Sequence, residues 1–112
     1  MGCDIHAHVE VFLDNEWFHW DKLEITRRYA LFSRMAEVRG DGPAIAIPRG
    51  LPKDISKVTQ LYRDQWDAHT ESWLRREEVV QLLREFGYLM GTGWEEIVEP
   101  VKDARLVFWF DS

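Results

Sequence analysis

The sequence lacks several features that would assign it to a specialised class of protein. It has one cysteine, Cys3, among 112 residues, so no disulfide can form within the chain. No apolar run reaches the roughly 18 residues of a membrane span, which predicts that the chain has no membrane partner. The N-terminus has neither a basic stretch nor an apolar core, and it does not resemble a secretory signal peptide.

Catalytic and nucleotide-binding motifs are also missing. No glycine-rich phosphate loop, nucleophile elbow or C-x-x-C pair occurs in the sequence. Basic residues are in the minority, since 14 Lys and Arg stand against 20 Asp and Glu, which gives a net charge of −6. This balance disfavours non-specific nucleic-acid binding and is compatible with a basic protein partner. The length predicts a single domain over residues 1–112, and the apolar share of 46 % is ordinary for a folded protein.

The first segment alternates apolar and polar side chains. The residues on one side are Ile5, Ala7, Val9 and Val11, and those on the other are Asp4, His6, His8 and Glu10. A period of two over this length predicts a half-buried strand. Asp14-Asn15 is a typical tight turn, after which residues 16–22 return as a second strand. A two-residue loop would pair His19 with Glu10, Trp20 with Val9 and Asp21 with His8.

Helices and one further strand are expected in the rest of the chain. Helical spacing predicts helices over residues 27–38, from Asp54 onwards, and over about 74–86, with 67–72 as a polar connection. Residues 104–110 form a closing, aromatic-rich strand. The resulting order, β-β-α-α-α-β, predicts an α+β domain with helices on one face of a small antiparallel sheet. We expect Trp20 and Trp66 in its core.

The polar side of the first strand is the strongest local signal for a functional site. His6 and His8 share that face about 6.5–7 Å apart, and two imidazoles at this spacing can bind one divalent ion. Asp4 would complete the ligand set, as would Asp111 if the last strand lies beside the first. Mixed imidazole and carboxylate ligands suit Zn or Mn. The alternative is an ordinary solvent-exposed sheet face, for which such alternation is equally typical.

Other residues complete the candidate site. Glu10 or His69 would transfer protons, and Arg49, held between a proline and a glycine, would bind a phosphate. Ser72 and Trp73 are candidate ligand contacts. Each has a simpler alternative: Arg49 as a surface arginine, His69 as part of a helix-capping segment, and Trp73 as a core residue.

Four stretches that span nearly the whole chain carry a resemblance to a known family. They are Met1–His6 with Val9-Glu10, Pro48–Pro52 with Asp54 and Ser56, His69 with Ser72–Leu74 and Glu77-Glu78, and Arg105–Asp111. In these stretches the chain resembles small uncharacterised bacteriophage and prophage proteins that begin Met-Gly-Cys-Asp-Ile-His. The resemblance carries no settled activity. It implies a shared polar site and a location in the cytoplasm of the infected bacterial host.

Three functional hypotheses follow. The first is a phage-encoded, metal-dependent hydrolase of a phosphoester or nucleotide, with one Zn or Mn ion. The second is a non-catalytic phage factor that binds a host nucleotide signal or inhibits a host defence protein. The third is an accessory domain whose polar sheet face is only solvated. The expected partners are therefore a small phosphorylated ligand or a host protein, and an exposed sheet edge would support a homodimer.

Overall fold

The computed structural model describes residues 2–40, 42–87, 94 and 99–111. The strands are β1 (Asp4–Leu13), β2 (Glu16–Leu23), β3 (His69–Arg75) and β4 (Asp103–Asp111), and the helices are α1 (Tyr29–Ala36), α2 (Lys57–Asp64) and α3 (Arg76–Phe86). All strand pairs are antiparallel, in the order β2-β1-β4-β3. The α+β class, the N-terminal hairpin, the three helices and the closing strand beside β1 are confirmed.

The hairpin turn forms as its sequence predicts. Asp14 and Asn15 both have positive φ, 50° and 64°, which is the backbone of the tight turns that match the twist of two antiparallel strands. The two-residue loop sets the expected register at this end of the hairpin, where His19 lies opposite Glu10. The polar sides of β1 and β2 therefore meet on one face of the sheet.

A β-bulge changes the register further along the hairpin. Val9 lies opposite Asp21 instead of Trp20, and His8 lies opposite Lys22 instead of Asp21. Both predicted pairs were wrong because one extra residue in β2, Trp20, has no opposite number in β1. Its side chain is more than half exposed, so the expectation that Trp20 belongs to the core is wrong as well.

The chain order contains one strand more than predicted. Residues 69–72, expected as part of a polar connection, and residues 74–75, expected as the start of the third helix, belong to β3 at the edge of the sheet, so the order is β-β-α-α-β-α-β. The segment before α2 protects that edge. Gly50 N donates to the carbonyl oxygen of Glu71 at 3.0 Å, and the Arg49 guanidinium donates to that of Trp73 at 2.7 Å. These contacts satisfy carbonyls that an edge strand would otherwise expose.

The start of α2 also differs from the prediction. Asp54 does not cap the helix because its carboxylate accepts a hydrogen bond from Arg105. Ser56 takes the capping position instead, and its hydroxyl accepts from Thr59 N at 3.2 Å. The helix therefore begins after Ser56, at Lys57.

Helices cover both faces of the sheet, which corrects the expectation that they lie on one face. The apolar face packs against α1 and α3 through Ala7, Val9, Val11, Leu31, Phe32, Met35, Val79 and Leu82. On the opposite face, α2 and the segment before it cover polar side chains, and the buried ones include His8, Glu10 and Arg105. The polar face is therefore an interior surface, and a merely solvated face is excluded for these three residues.

Candidate functional site

An imidazole pair lies beneath α2. The His8 ring is stacked between Tyr62 and Trp109, with centroid distances of 4.6 and 5.0 Å. Its Nδ1 is 3.0 Å from Nε2 of His19, so one imidazole donates to the other. Burial, with the neighbouring His19 as the next cause, lowers the pKa of His8 to about 3, and burial also lowers the pKa of His19. Both rings are therefore neutral near pH 7.

His6 and Asp111 form a second pair on the same face. The closing strand brings Asp111 opposite Asp4, as the prediction of a shared cluster requires, and His6 Nε2 lies 2.5 Å from a carboxylate oxygen of Asp111. The ring of Trp66 covers His6 at a centroid distance of 4.0 Å. Trp66 shields this pair, but it is 40 % exposed, so the expectation that it belongs to the core is wrong.

The remaining predicted metal and proton-transfer residues do not join these pairs. The carboxylate of Asp4 accepts from Arg27 Nε at 2.8 Å and is half exposed. His69 of β3 lies opposite Phe110 of β4, and Glu10 of β1 lies opposite Arg105 of β4. The two positions on β4 are therefore about 17 Å apart along the strand, and so are the two proposed proton carriers. Across the described ranges, no group of three or more His, Cys, Asp or Glu side chains is placed to hold a metal ion.

Glu10 is committed to a buried ion pair. Its Oε1 accepts from Arg105 Nε at 2.8 Å, and its Oε2 accepts from Thr59 Oγ1 at 2.6 Å and from Ser56 N at 2.9 Å. Arg105 also donates to Asp54 at 2.8 Å. With both oxygens occupied, Glu10 anchors the start of α2 to the sheet. Sequence reasoning missed Arg105, although a single charge within an apolar strand signals a buried partner.

The three predicted ligand contacts, Arg49, Ser72 and Trp73, do lie together. Arg49 N donates to Ser72 Oγ at 3.0 Å, and the guanidinium carbon lies 4.7 Å from the Trp73 ring centroid. The guanidinium donates to both carboxylate oxygens of Glu78, at 2.7 and 2.9 Å. Burial is the largest single influence on the pKa of Glu78 and raises it, but the hydrogen bonds and charges of Arg49 and Arg75 together outweigh burial and lower the pKa overall. Arg49 is therefore already neutralised, and it shapes the site more than it offers a free charge.

Beside these residues a cleft of about 610 Å³ opens at one end of the polar face. The indoles of Trp17 and Trp73 line it, with ring centroids 3.9 and 5.9 Å from the guanidinium carbon of Arg105. Two further cations, Lys53 and Arg75, line the cleft, and neither is within salt-bridge distance of a carboxylate in the part of the chain described. The sequence did not indicate this grouping, because its members come from three strands and one loop.

Comparison with known proteins adds no functional assignment. No protein-family model, curated protein or solved structure matches the chain. None of the described helices is long and apolar enough to cross a membrane. The geometry of the cleft and of the buried pairs is thus the basis for interpreting function.

Proposed function

We propose that this chain is a non-catalytic binding protein for a small phosphorylated molecule that carries a planar ring, such as a nucleotide. The observation that carries the proposal is the cleft in which two indoles flank the guanidinium of Arg105. The resemblance to bacteriophage proteins supports the biological setting: a phage factor that binds a host nucleotide signal in the cytoplasm of the infected bacterium.

The cleft suits the ring of such a ligand. Its volume of about 610 Å³ lies within the range of roughly 300–1,000 Å³ that is usual for small-molecule sites. Stacking of a base on an aromatic side chain contributes about 1–3 kcal/mol. Trp17 and Trp73 supply these surfaces, and both are half-buried. A guanidinium already covers one face of each ring, Arg105 on Trp17 at 3.9 Å and Arg49 on Trp73 at 4.7 Å, so a base would stack on the remaining face.

The phosphate would be bound by Lys53 and Arg75, which line the cleft and form no salt bridge among the residues described. Arg75 is not isolated, because its charge acts on Glu78 and contributes to the lowered pKa of that carboxyl group. Three carboxylates line the same cleft, at Asp54, Glu77 and Asp103, so the indoles carry more of the proposal than the charge of the cleft does.

The arrangement of the acid and base candidates supports binding without hydrolysis. Glu10 has both carboxylate oxygens occupied by hydrogen bonds from Arg105, Thr59 and Ser56. His69 lies about 17 Å of strand away from Glu10. We therefore expect a bound ligand to be recovered intact.

Isothermal titration calorimetry tests the proposal with nucleoside monophosphates, the free nucleosides and ribose 5-phosphate. We expect monophosphates to bind more tightly than either fragment, because only they engage both the indoles and the cations. Trp73→Leu should weaken binding by about tenfold, in line with the loss of one stacking surface. Lys53→Glu should lower the affinity for the phosphate-bearing probes and leave the affinity for free nucleosides unchanged.

Trp20→Leu is the matched control, because Trp20 is an exposed tryptophan outside the cleft. An equal loss of affinity in this variant would show that the cleft indoles are not the binding surface. Failure of every monophosphate to bind at millimolar concentration would reject the proposal. Chromatography of the recovered ligand separates binding from hydrolysis, and a cleaved product would reject the non-catalytic reading.

A metal-dependent hydrolase is the second candidate, favoured by the neutral His8–His19 pair, since neutral imidazole is the form that binds Zn. Elemental analysis of the untagged protein, beside a His6→Ala/His8→Ala double variant, tests it. A near-stoichiometric metal that the variant loses would support this function. A protein that stays metal-free after growth in metal-replete medium and after titration with Zn or Mn would exclude it.

A further inference from the structure

The outward side of α2 presents apolar side chains without a covering element. Leu61 is 64 % exposed, and Val58, one helical turn earlier, is about half exposed. Phe18 of β2 and Val58 line the same surface groove of about 490 Å³. The only residue of α2 that is buried is Thr59, on the opposite side. We call Phe18, Val58 and Leu61 the α2 face.

Two charges flank Leu61 on this side of the helix. Lys57, Leu61 and Asp64 have the spacing i, i+4, i+7, which places them on one stripe. Lys57 has no salt-bridge partner among the residues described, and Asp64 uses one carboxylate oxygen to accept from Gln60. The stripe therefore runs from a positive end, through an apolar centre, to a negative end.

These charges are the wrong way round for an isolated helix. A cation at the first residue and an anion at the last each oppose the helix macrodipole. The first turn has no acidic residue of its own, and the Glu10 carboxylate, which accepts from Ser56 N, is the anion at that end of the helix. Arg63, the basic residue in the last turn, donates to Glu71 of β3 at 2.6 Å and so is engaged within the fold. A partner that brings an anion to Lys57 and a cation to Asp64 would pair both exposed charges.

A second copy of α2 in the antiparallel direction supplies both charges. With a two-fold axis beside Leu61, Lys57 of each copy meets Asp64 of the other. The two macrodipoles are then antiparallel and attract each other. A partner with a uniformly basic surface would match Asp64 but repel Lys57, so charge complementarity favours self-association. We propose that the α2 face binds a second copy of this chain, with α2 packed antiparallel to α2.

The dimer should be weak. Stable interfaces bury about 1,200–2,000 Å², and α2 has only eight residues, about 12 Å of helix. We expect a dissociation constant on the order of 100 µM, which corresponds to a reversible equilibrium. Sedimentation equilibrium of the untagged, full-length chain between about 10 µM and 1 mM should show a mass that rises from 13.3 kDa towards twice that value.

Leu61→Glu should keep the chain monomeric at every concentration, because it places two like charges at the two-fold axis. The matched control is Ile47→Glu, which alters an apolar residue that is 85 % exposed and outside the α2 face. Both positions are exposed, so both variants should fold, and circular dichroism checks this. Equal association of Leu61→Glu and the natural chain would overturn the proposal.

A charge swap tests the antiparallel arrangement itself. Lys57→Glu and Asp64→Lys should each weaken association by about fivefold or more, since each creates two repulsive contacts per dimer. The double variant restores opposite charges across the axis and should associate like the natural chain. A double variant no better than either single one would overturn the proposal, as would a natural chain that stays monomeric at 1 mM.

Discussion

Removal of the Glu10 carboxylate should be among the most damaging single changes in this protein. The Glu10 side chain is fully buried, and that of Arg105 is only 5 % exposed. Glu10→Ala would leave the guanidinium of Arg105 inside the protein with one remaining carboxylate partner, Asp54, which is 68 % exposed. It would also leave Ser56 N without its acceptor and Thr59 Oγ1 with Ser56 Oγ as its remaining hydrogen-bond partner. Breaking a buried ion pair in this way costs about 3–5 kcal/mol of unfolding free energy.

Asp54→Ala is the matched control, because it removes the other carboxylate that Arg105 binds. Hydrogen bonding to Arg105 lowers the pKa of Asp54. This contact should contribute at most about 1 kcal/mol, since water already solvates the Asp54 carboxylate, which is 68 % exposed. The two variants therefore remove chemically similar contacts that differ in burial.

Urea unfolding followed by circular dichroism at pH 7 measures both changes. With a slope of about 1.5 kcal/mol per molar urea, Glu10→Ala should lower the midpoint by about 2–3 M and Asp54→Ala by less than about 0.7 M. The double variant Glu10→Leu/Arg105→Met should recover much of the loss, because it leaves no buried charge unpaired. A loss for Glu10→Ala that is no larger than that for Asp54→Ala would refute the reasoning.

Two further changes test other parts of the fold. Because burial lowers the pKa of His8 to about 3, the unfolded chain binds a proton below about pH 6.5 that the folded chain does not. Stability should therefore fall as the pH decreases from about 6.5 towards 3, by up to about 1.4 kcal/mol per pH unit, and urea titrations of His8→Phe should show a shallower slope between pH 6.5 and 5. An unchanged slope would contradict the buried neutral state. Gly50→Ala should lower the free energy of unfolding by about 1–2 kcal/mol in thermal unfolding, because φ is +77° at this position. An added Cβ meets nothing within 4 Å, so the loss would come from backbone strain and not from a steric clash. A Gly42→Ala control without positive φ should cost less, and equal costs would argue against backbone strain at Gly50.

The hairpin could be predicted because its determinants are local. Alternation of side chains defines β1, and Asp14-Asn15 tolerates the positive φ of its turn. The bulge at Trp20 could not be predicted, since the residues between the turn and Trp20 pair as they would in a regular hairpin. The strand β3 was hidden for a related reason. Thr70 has a φ of 55° and the register shifts beside it, so the alternation that would mark a strand is interrupted.

The candidate site could be predicted only in part, because local alternation determines which side chains of β1 share a face. Period two correctly places His6, His8 and Glu10 on one face, but it does not determine what covers that face. The cover is α2, which turns Thr59 and Tyr62 towards the sheet and its more apolar residues outwards. An apolar stripe is ordinarily the buried side of a helix, so the sequence of α2 suggests the opposite orientation. Hydrogen bonds to Glu10 and stacking on His8 decide it.

The Glu10–Arg105 pair joins the two halves of this polar face. On one side, Glu10 fixes the start of α2 through Thr59 and so keeps the imidazole pair beneath the helix dry. On the other side, Arg105 presents its guanidinium between the cleft indoles, held there by the same carboxylate. A ligand in the cleft would thus contact a side chain whose position depends on the docking of α2. It follows that the residues that stabilise the fold at Glu10 also pre-organise the cleft, whereas Asp54, exposed at its edge, can change without loss of that scaffold.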